Sequence, residues 1–202
     1  MIDETRAWGS WADWLGVPRL TLFAILGAVI ERGEDHRVAF GTVRPGIDLR
    51  AEAERQRAVG KEYRLGPSDL YPDALPAMRD LRARGYRLGV AANQPISTED
   101  LMAGLPVEID LIASSDRWGV AKPDPRFFDR IGRELDLPLE AIAYVGDRVD
   151  NDVRPAAEAG MAAIHIRRGP WGYAHAGQAL GAGAVATVDS LAEVAAVLAR
   201  LG

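Results

Sequence analysis

The order of apolar and polar positions divides the chain into two regimes. Up to about Gly66 the apolar residues recur at helical spacing. Trp8, Trp11, Trp14 and Leu15 form one bulky stripe, and Gly16, Val17 and Pro18 close that helix. A second helix is expected from about Thr21 to Arg32, ended by Gly33, and a third from Asp48 to Tyr63 after the Pro45-Gly46 break. From Tyr86 onward the runs are short and apolar on both faces: Tyr86–Ala92, Asp110–Ser115, Ala141–Gly146, Ala162–Arg167 and Ala184–Val188. Such runs predict strands covered by helices on both sides, as in a parallel sheet. Between them lie helical stretches at Ala77–Arg84, Arg126–Leu135 and Val153–Ala159. A last helix, Ser190–Leu201, opens on Ser190 and Glu193 at capping-box spacing. Strand and helix alternate, which predicts a doubly wound α/β domain. The expected division is a helical module over residues 1–70 and an α/β core over 71–202, joined by the proline-punctuated segment "GPSDLYPDALP".

Composition narrows the function classes. The 202 residues are 48% apolar and 26% charged, as in a globular chain long enough to bury a core. A net charge of -5 argues against a nucleic-acid partner. Without cysteine there is no disulfide framework, thiolate metal site or cysteine nucleophile. The longest apolar stretch, Leu20 to Ile30, is shorter than the roughly 20 residues a bilayer span takes. Asp3, Glu4, Asp13 and three tryptophans precede it, unlike a secretory leader. The expectation is a cytoplasmic protein with no membrane partner.

The chemistry gathers at the ends of the predicted strands, where open α/β sheets bind ligands. The first strand delivers Asn93 and Gln94. The second is followed by "RWGVAKPDP", with Lys122. The third breaks at Gly146 and delivers Asp147, with Asp150 and Asp152 just beyond. Crowding carboxylates at the end of a buried strand requires a positive partner. Mg²⁺, which takes oxygen ligands from one or two carboxylates plus a substrate phosphate, suits this set with Lys122 as neighbour. Asp150 reads as a surface acid and Asp124 as a helix cap. The tryptophans and His165 read as structural. Arg167, Arg168 and Trp171 border the same rim in a loop that either touches substrate or is merely solvated.

The segments "GVAANQ", "AKPDPRFF" and "YVGDRVDNDVRPAAEAG", in this order and spacing, resemble the second, third and fourth motifs of the haloacid dehalogenase-like hydrolases. The Trp-rich start running into "LYPDALPAMRDLRARGYRLGV" resembles that family's helical cap returning to its core. The resemblance implies a Mg²⁺-dependent phosphatase that acts on a small phosphorylated substrate through an aspartyl-phosphate intermediate. It implies that Lys122 steadies the phosphate and that Asp147 binds Mg²⁺. Asp152 would hold a metal-bound water or orient Lys122. Asn93, with Gln94 beside it, would frame the phosphate through local amides.

Two departures stand against the family pattern. Ala92 occupies a position where the family usually has a serine or threonine hydroxyl. The first motif, an apolar strand ending in the nucleophilic aspartate, is not in the chain. Asp3 and Thr5 mimic it only superficially. The first core strand is therefore expected to be missing, and the chain as written to be inactive or nearly so. Three outcomes are open for the sheet: a start upstream of Met1, direct pairing of the flanking strands, or another segment in the gap. The alternatives are a non-catalytic module that binds phosphate or a partner, a metal-free dehalogenase of the same fold, and a phosphoacceptor receiver domain. The carboxylate cluster disfavours the dehalogenase, and the long helical prelude disfavours the receiver. Monomer and homodimer are both open, and an exposed strand edge would favour pairing between chains.

Overall fold

The computed structural model describes residues 1–201, so Gly202, the predicted end of the core, lies outside the described residues. The chain divides into two compact units, Ile2–Asp69 and, together with Met1, the residues from Leu70 onward.

The first unit is built on the helices α1 (Thr5–Leu15), α2 (Arg19–Glu31), α3 (Val38–Val43) and α4 (Leu49–Ala58). Gly16 ends α1 in the left-handed conformation at φ 68°, which a glycine adopts without steric cost. The Asp48 carboxylate caps α4 by accepting from the amides of Arg50 and Ala51. Helix α4 stops at Ala58 rather than running on to Tyr63, and Gly60 just beyond has φ 69°. The tryptophans pack between helices: Trp8 stacks on Phe40 at 5.2 Å and Trp11 meets the same ring at 5.2 Å. Trp14 donates its indole N–H to Glu52 at 2.9 Å, which gives that buried carboxylate a partner. Among the described residues no single helix is long and apolar enough to cross a membrane.

Among the described residues the second unit holds the five strands β1 (Gly89–Ala92), β2 (Leu111–Ser114), β3 (Ala143–Gly146), β4 (Ala162–Ile166) and β5 (Ala186–Val188). All pairings are parallel, as the two-faced apolar runs imply. The strands form two ladders rather than one sheet: β1 with β2, and β3–β4–β5. Direct pairing of β1 with β3, one of the three outcomes open from the sequence, is not adopted. Every residue of β3 is half-buried, whereas the four residues from Ala163 to Ile166 in β4 are buried.

Helices cover the strands on both faces. On one face α8 (Pro125–Leu135) buries Phe127, Phe128, Ile131 and Leu135, spaced for one helical stripe. Asp124 caps it by accepting from the Arg126 amide, and Pro125 takes the first-turn position where no N–H is needed. That stripe shares a cluster with Leu111 and Ala113 of β2, Ala163 of β4, and Val149, Val153 and Ala156. On the opposite face Ile164 and Ile166 of β4 pack with Val188, Val194, Val197 and Leu81. These last come from β5, from α5 (Ala74–Ala83) and from α11 (Val194–Leu201). Ser190 and Glu193 form the expected capping box.

One ion pair ties the entry of this unit to its end. Asp73 Oδ2 accepts from Arg168, from Ser190 Oγ at 2.5 Å and from the Leu191 amide at 2.9 Å. Burial pushes the Asp73 carboxyl up, but the Arg168 guanidinium and the two other donors outweigh it and hold the pKa at about 2. The folded pKa thus lies below the unfolded one. The contribution to stability is present at neutral pH and is lost as pH falls through the window from about 4 to 2. Asp73→Asn is expected to cost about 2–3 kcal/mol at pH 7, because it strands the Arg168 charge. Its penalty should shrink towards pH 2. Urea denaturation of both proteins at pH 7 and pH 3 checks this.

Candidate active site

The site is built where β1 and β3 end. Asn93 follows β1 directly and reaches across to the main chain of Lys122. Its Oδ1 accepts from the Lys122 amide at 2.8 Å, and its Nδ2 donates to the Lys122 carbonyl at 2.9 Å. The Asn93 side chain therefore fixes the loop that carries the lysine. The Gln94 amide donates to the Ala92 carbonyl in a tight turn, and the Gln94 carbonyl accepts from the Asp116 amide at 3.4 Å.

Lys122 extends from that loop to β3. Its Nζ lies 2.5 Å from Asp152 Oδ1, with 10% of the lysine side chain and 4% of the aspartate exposed. The ammonium sits 5.5 Å from the centre of the Tyr144 ring and 5.9 Å from that of Phe127, within reach of both quadrupoles. Burial alone would depress its pKa, but Tyr144 and the Asp152 carboxylate more than offset this, and the ammonium is held above its ordinary range. Burial pushes the Tyr144 hydroxyl up to about 12, so it stays neutral at physiological pH.

The acidic turn explains its own sequence. Val149–Val153 forms a π-helical turn leading into α9 (Arg154–Glu158), a feature often met at functional sites. It folds Asp152 back onto Gly146, where a Cβ would meet Asp152 Cβ at 2.3 Å, so only a bare α-carbon fits. Asp152 Oδ2 accepts from the Arg148 amide at 3.1 Å. Both Asp152 oxygens are therefore engaged, an arrangement that suits orienting Lys122. Asp150 turns outward to a two-pronged pair with Arg148, at 3.1 and 2.6 Å. The Arg148 guanidinium lies 5.2 Å over Trp171, and His175 Nδ1 accepts from the Val149 amide at 3.1 Å. Arg167 pairs with Asp189 and Arg168 with Asp73, so both rim arginines have structural partners.

Asp147 leaves the end of β3, and His165 Nε2 of β4 lies 3.2 Å from its main-chain oxygen. The α-amine of Met1 shares this neighbourhood; burial holds its pKa below the ordinary value, against the pull of Asp147. The structure thus joins Asn93, Lys122 and Asp152 in one relay, with Asp147 at the end of β3 beside it; the Gln94 main chain bonds Ala92 and Asp116 instead. Asp3 accepts from the amide and hydroxyl of Thr5, which occupies its carboxylate locally.

Three residues at the site escape a reading of the sequence. Tyr144 looks like strand filler, although its position two before Gly146 puts both on one strand face, the face over which Lys122 lies. His165 looks like simple alternation. His175 follows a Gly- and Pro-rich stretch and carries no local signal.

Comparison with known proteins gives the same direction. Glyceraldehyde 3-phosphate phosphatase of Methanopyrus kandleri is 36% identical over 104 residues, 50% of this chain and 45% of its own length. A phosphatase of Mycobacterium tuberculosis is 36% identical over 167 residues, 81% of this chain and 71% of its own. Phosphoserine phosphatase of Thermus thermophilus is 35% identical over 119 residues, 57% of this chain and 47% of its own. The chain thus spans about half the length of several curated relatives it matches. Among solved structures, a β-phosphoglucomutase of Clostridium difficile aligns with a TM-score of 0.66 at 13% identity, covering 100% of this chain and 92% of that one. A HAD phosphatase of Thermococcus onnurineus aligns at 0.55 and 23%, covering 96% and 87%; these two likenesses speak to the fold. A family model described as haloacid dehalogenase-like hydrolase matches residues 17–160, from the second helix through the whole acidic turn. On that match, and on the strand-end lysine and aspartates it contains, this chain belongs to the haloacid dehalogenase-like hydrolases.

Proposed function

We propose that this chain is the helical cap and core of a Mg²⁺-dependent phosphatase that acts on a small phosphate monoester. The observation that carries this reading is the enclosed Lys122–Asp152 pair at the end of β3, next to Asp147. An ammonium held charged, oriented by a carboxylate and walled by aromatic rings, is a ready contact for a phosphoryl oxygen. Asn93 holds the lysine's main chain and Asp152 holds its tip, so little reorganisation is needed when the anion arrives. The named phosphatase relatives support the phosphate-ester class.

The donors at the strand ends fit magnesium in a limited way. Among the described residues no group of three or more His, Asp or Glu converges as a metal cage. Asp147 offers a hard oxygen ligand, and Asp152 has both oxygens in use. That suits an ion that keeps several waters and takes further oxygens from the substrate phosphate. When bound, the ion would neutralise charge on the transferring group. In this reading Asp147 would hold it, and Lys122 would contact a phosphoryl oxygen. The Ala92 amide belongs to the β1–β2 ladder, so in this reading the Asn93 amide stands in for the missing hydroxyl.

Hydrolysis through an aspartyl-phosphate needs a nucleophilic carboxylate in line with the leaving oxygen. The Asp3 carboxylate is engaged with Thr5. The 202-residue chain is accordingly expected to bind phosphate in a magnesium-linked way with little turnover. Calorimetry with inorganic phosphate, with and without Mg²⁺, and an assay with p-nitrophenyl phosphate test this. Phosphate binding indifferent to both magnesium and Lys122→Met sinks the site assignment. Fast turnover that depends on Asp3 sinks the expectation of low activity. The absence of a hydroxyl at Ala92 also favours a second reading, a module that holds a phosphorylated ligand without hydrolysing it.

A further inference from the structure

We propose that His165 is a positioning residue for Asp147: its imidazole, acting on the main-chain carbonyl of Asp147, sets the direction in which that carboxylate leaves β3. The inference rests on the reading of Asp147 as the magnesium-facing carboxylate. The ladder between β3 and β4 ends with Gly146 opposite His165. Two residues further on, the Arg167 amide donates to the Val188 carbonyl on the β5 side. The Asp147 carbonyl lies just past the last rung, and the His165 side chain reaches it with Nε2 at 3.2 Å. A carbonyl can only accept, so Nε2 carries the proton.

The same peptide unit is held from its other end. Its N–H is that of Arg148, which donates to Asp152 Oδ2 at 3.1 Å. The peptide plane that follows Asp147 is thus pinned by β4 through its oxygen and by the lysine-bound carboxylate through its nitrogen. Rotation about the Asp147 Cα–C bond would break both contacts.

The cost of using a histidine here is visible. His165 is fully enclosed, on the strand face it shares with Ala163, and its Nδ1 is buried with no hydrogen-bond partner. Its neighbours Ile164 and Ile166 are aliphatic, and a residue of that kind would fill the interior without stranding a polar atom. The imidazole is explained by the one bond it makes, which falls on Asp147, the residue read above as the magnesium-facing carboxylate.

The experiment compares His165→Leu, similar in bulk but without a donor, with His165→Gln, whose amide can reach the same carbonyl. Two quantities are read on the full chain: the Mg²⁺ dissociation constant by calorimetry, and hydrogen exchange of the Arg148 amide in metal-free protein. His165→Leu is expected to keep or raise the melting temperature, to weaken Mg²⁺ about ten-fold and to speed Arg148 exchange about ten-fold. His165→Gln is expected to restore both to within about three-fold of the parent. Wild-type values of both quantities in His165→Leu overturn the proposal. So does weaker Mg²⁺ binding with unchanged exchange, because the effect would then bypass the peptide. If the parent itself takes up no Mg²⁺, the metal reading of Asp147 falls, and the exchange rate alone decides the positioning role. Should His165→Leu not fold, His165→Asn, polar but too short to reach the carbonyl, replaces it against His165→Gln.

Discussion

Lys122→Met is expected to destabilise the core by about 3–4 kcal/mol and to abolish binding of inorganic phosphate. The size follows from what remains behind. Asp152 is 4% exposed and loses the ammonium 2.5 Å from one of its oxygens. Its other oxygen keeps the Arg148 amide, which does not neutralise the charge. The double variant Lys122→Met with Asp152→Asn removes both charges and should recover at least half of the lost stability without recovering phosphate binding. Urea denaturation and phosphate calorimetry on the four proteins of the cycle separate the two effects. An additive cycle would show that the pair is not coupled as the geometry implies. The pH dependence has a definite sign. The folded pKa of Lys122 lies above the unfolded value, so its contribution is intact below about pH 10 and is lost only in strong alkali.

Gly146→Ala is expected to be nearly as damaging, at about 3 kcal/mol, although it adds one methyl group. That methyl would sit 2.3 Å from Asp152 Cβ and 2.5 Å from its Cγ. These atoms lie next to the backbone of the acidic turn and cannot swing aside as a long side chain can. Relief requires the π-helical turn to move, which draws Asp152 away from Lys122. The loss of stability should therefore come with weaker phosphate binding. Gly27→Ala is the control: Gly27 lies within α2, and an added Cβ there meets nothing within 4 Å. It is expected to stabilise by about 0.5–1 kcal/mol through helix propensity. Thermal melts of both variants test the contrast, and equal effects would contradict it.

Much of the core is legible from local pattern, because a strand buried on two faces has few other ways to be written. The runs ending at Ala92, Ser115, Gly146, Arg167 and Val188 all become parallel strands, the second and fourth ending one residue early, at Ser114 and Ile166. Their beginnings are less legible. The run from Tyr86 joins the ladder only at Gly89, since pairing depends on where Leu111 falls opposite it. The short helices α3, α6 (Ser97–Ala103) and α10 (Gly169–Ala174) span too few turns to show a period. At the strand ends, the pairing of Lys122 with Asp152 is legible because charge at a buried strand end demands a partner. Asn93 illustrates the limit. It looks like a phosphate-framing residue, and its side chain turns out to hold a main chain 29 positions away. His165 and Tyr144 are hidden for the same reason: their partners are set by strand register and turn geometry, which a linear pattern does not encode.

Two ladders that share no rung are held together by side chains, and the core melts as one body only to the extent that those side chains allow. The apolar stripe of α8 shares one cluster with residues of both β2 and β4. The relay from Asn93 through Lys122 to Asp152 joins the end of β1 to the end of β3. Both routes cross the break between the ladders. Native-state exchange should therefore report residues 89–114 as a separate foldon that opens at a lower free energy than residues 143–188. A bound phosphate gripped by the relay would draw the two opening energies together, making unfolding more nearly all-or-none in the liganded protein.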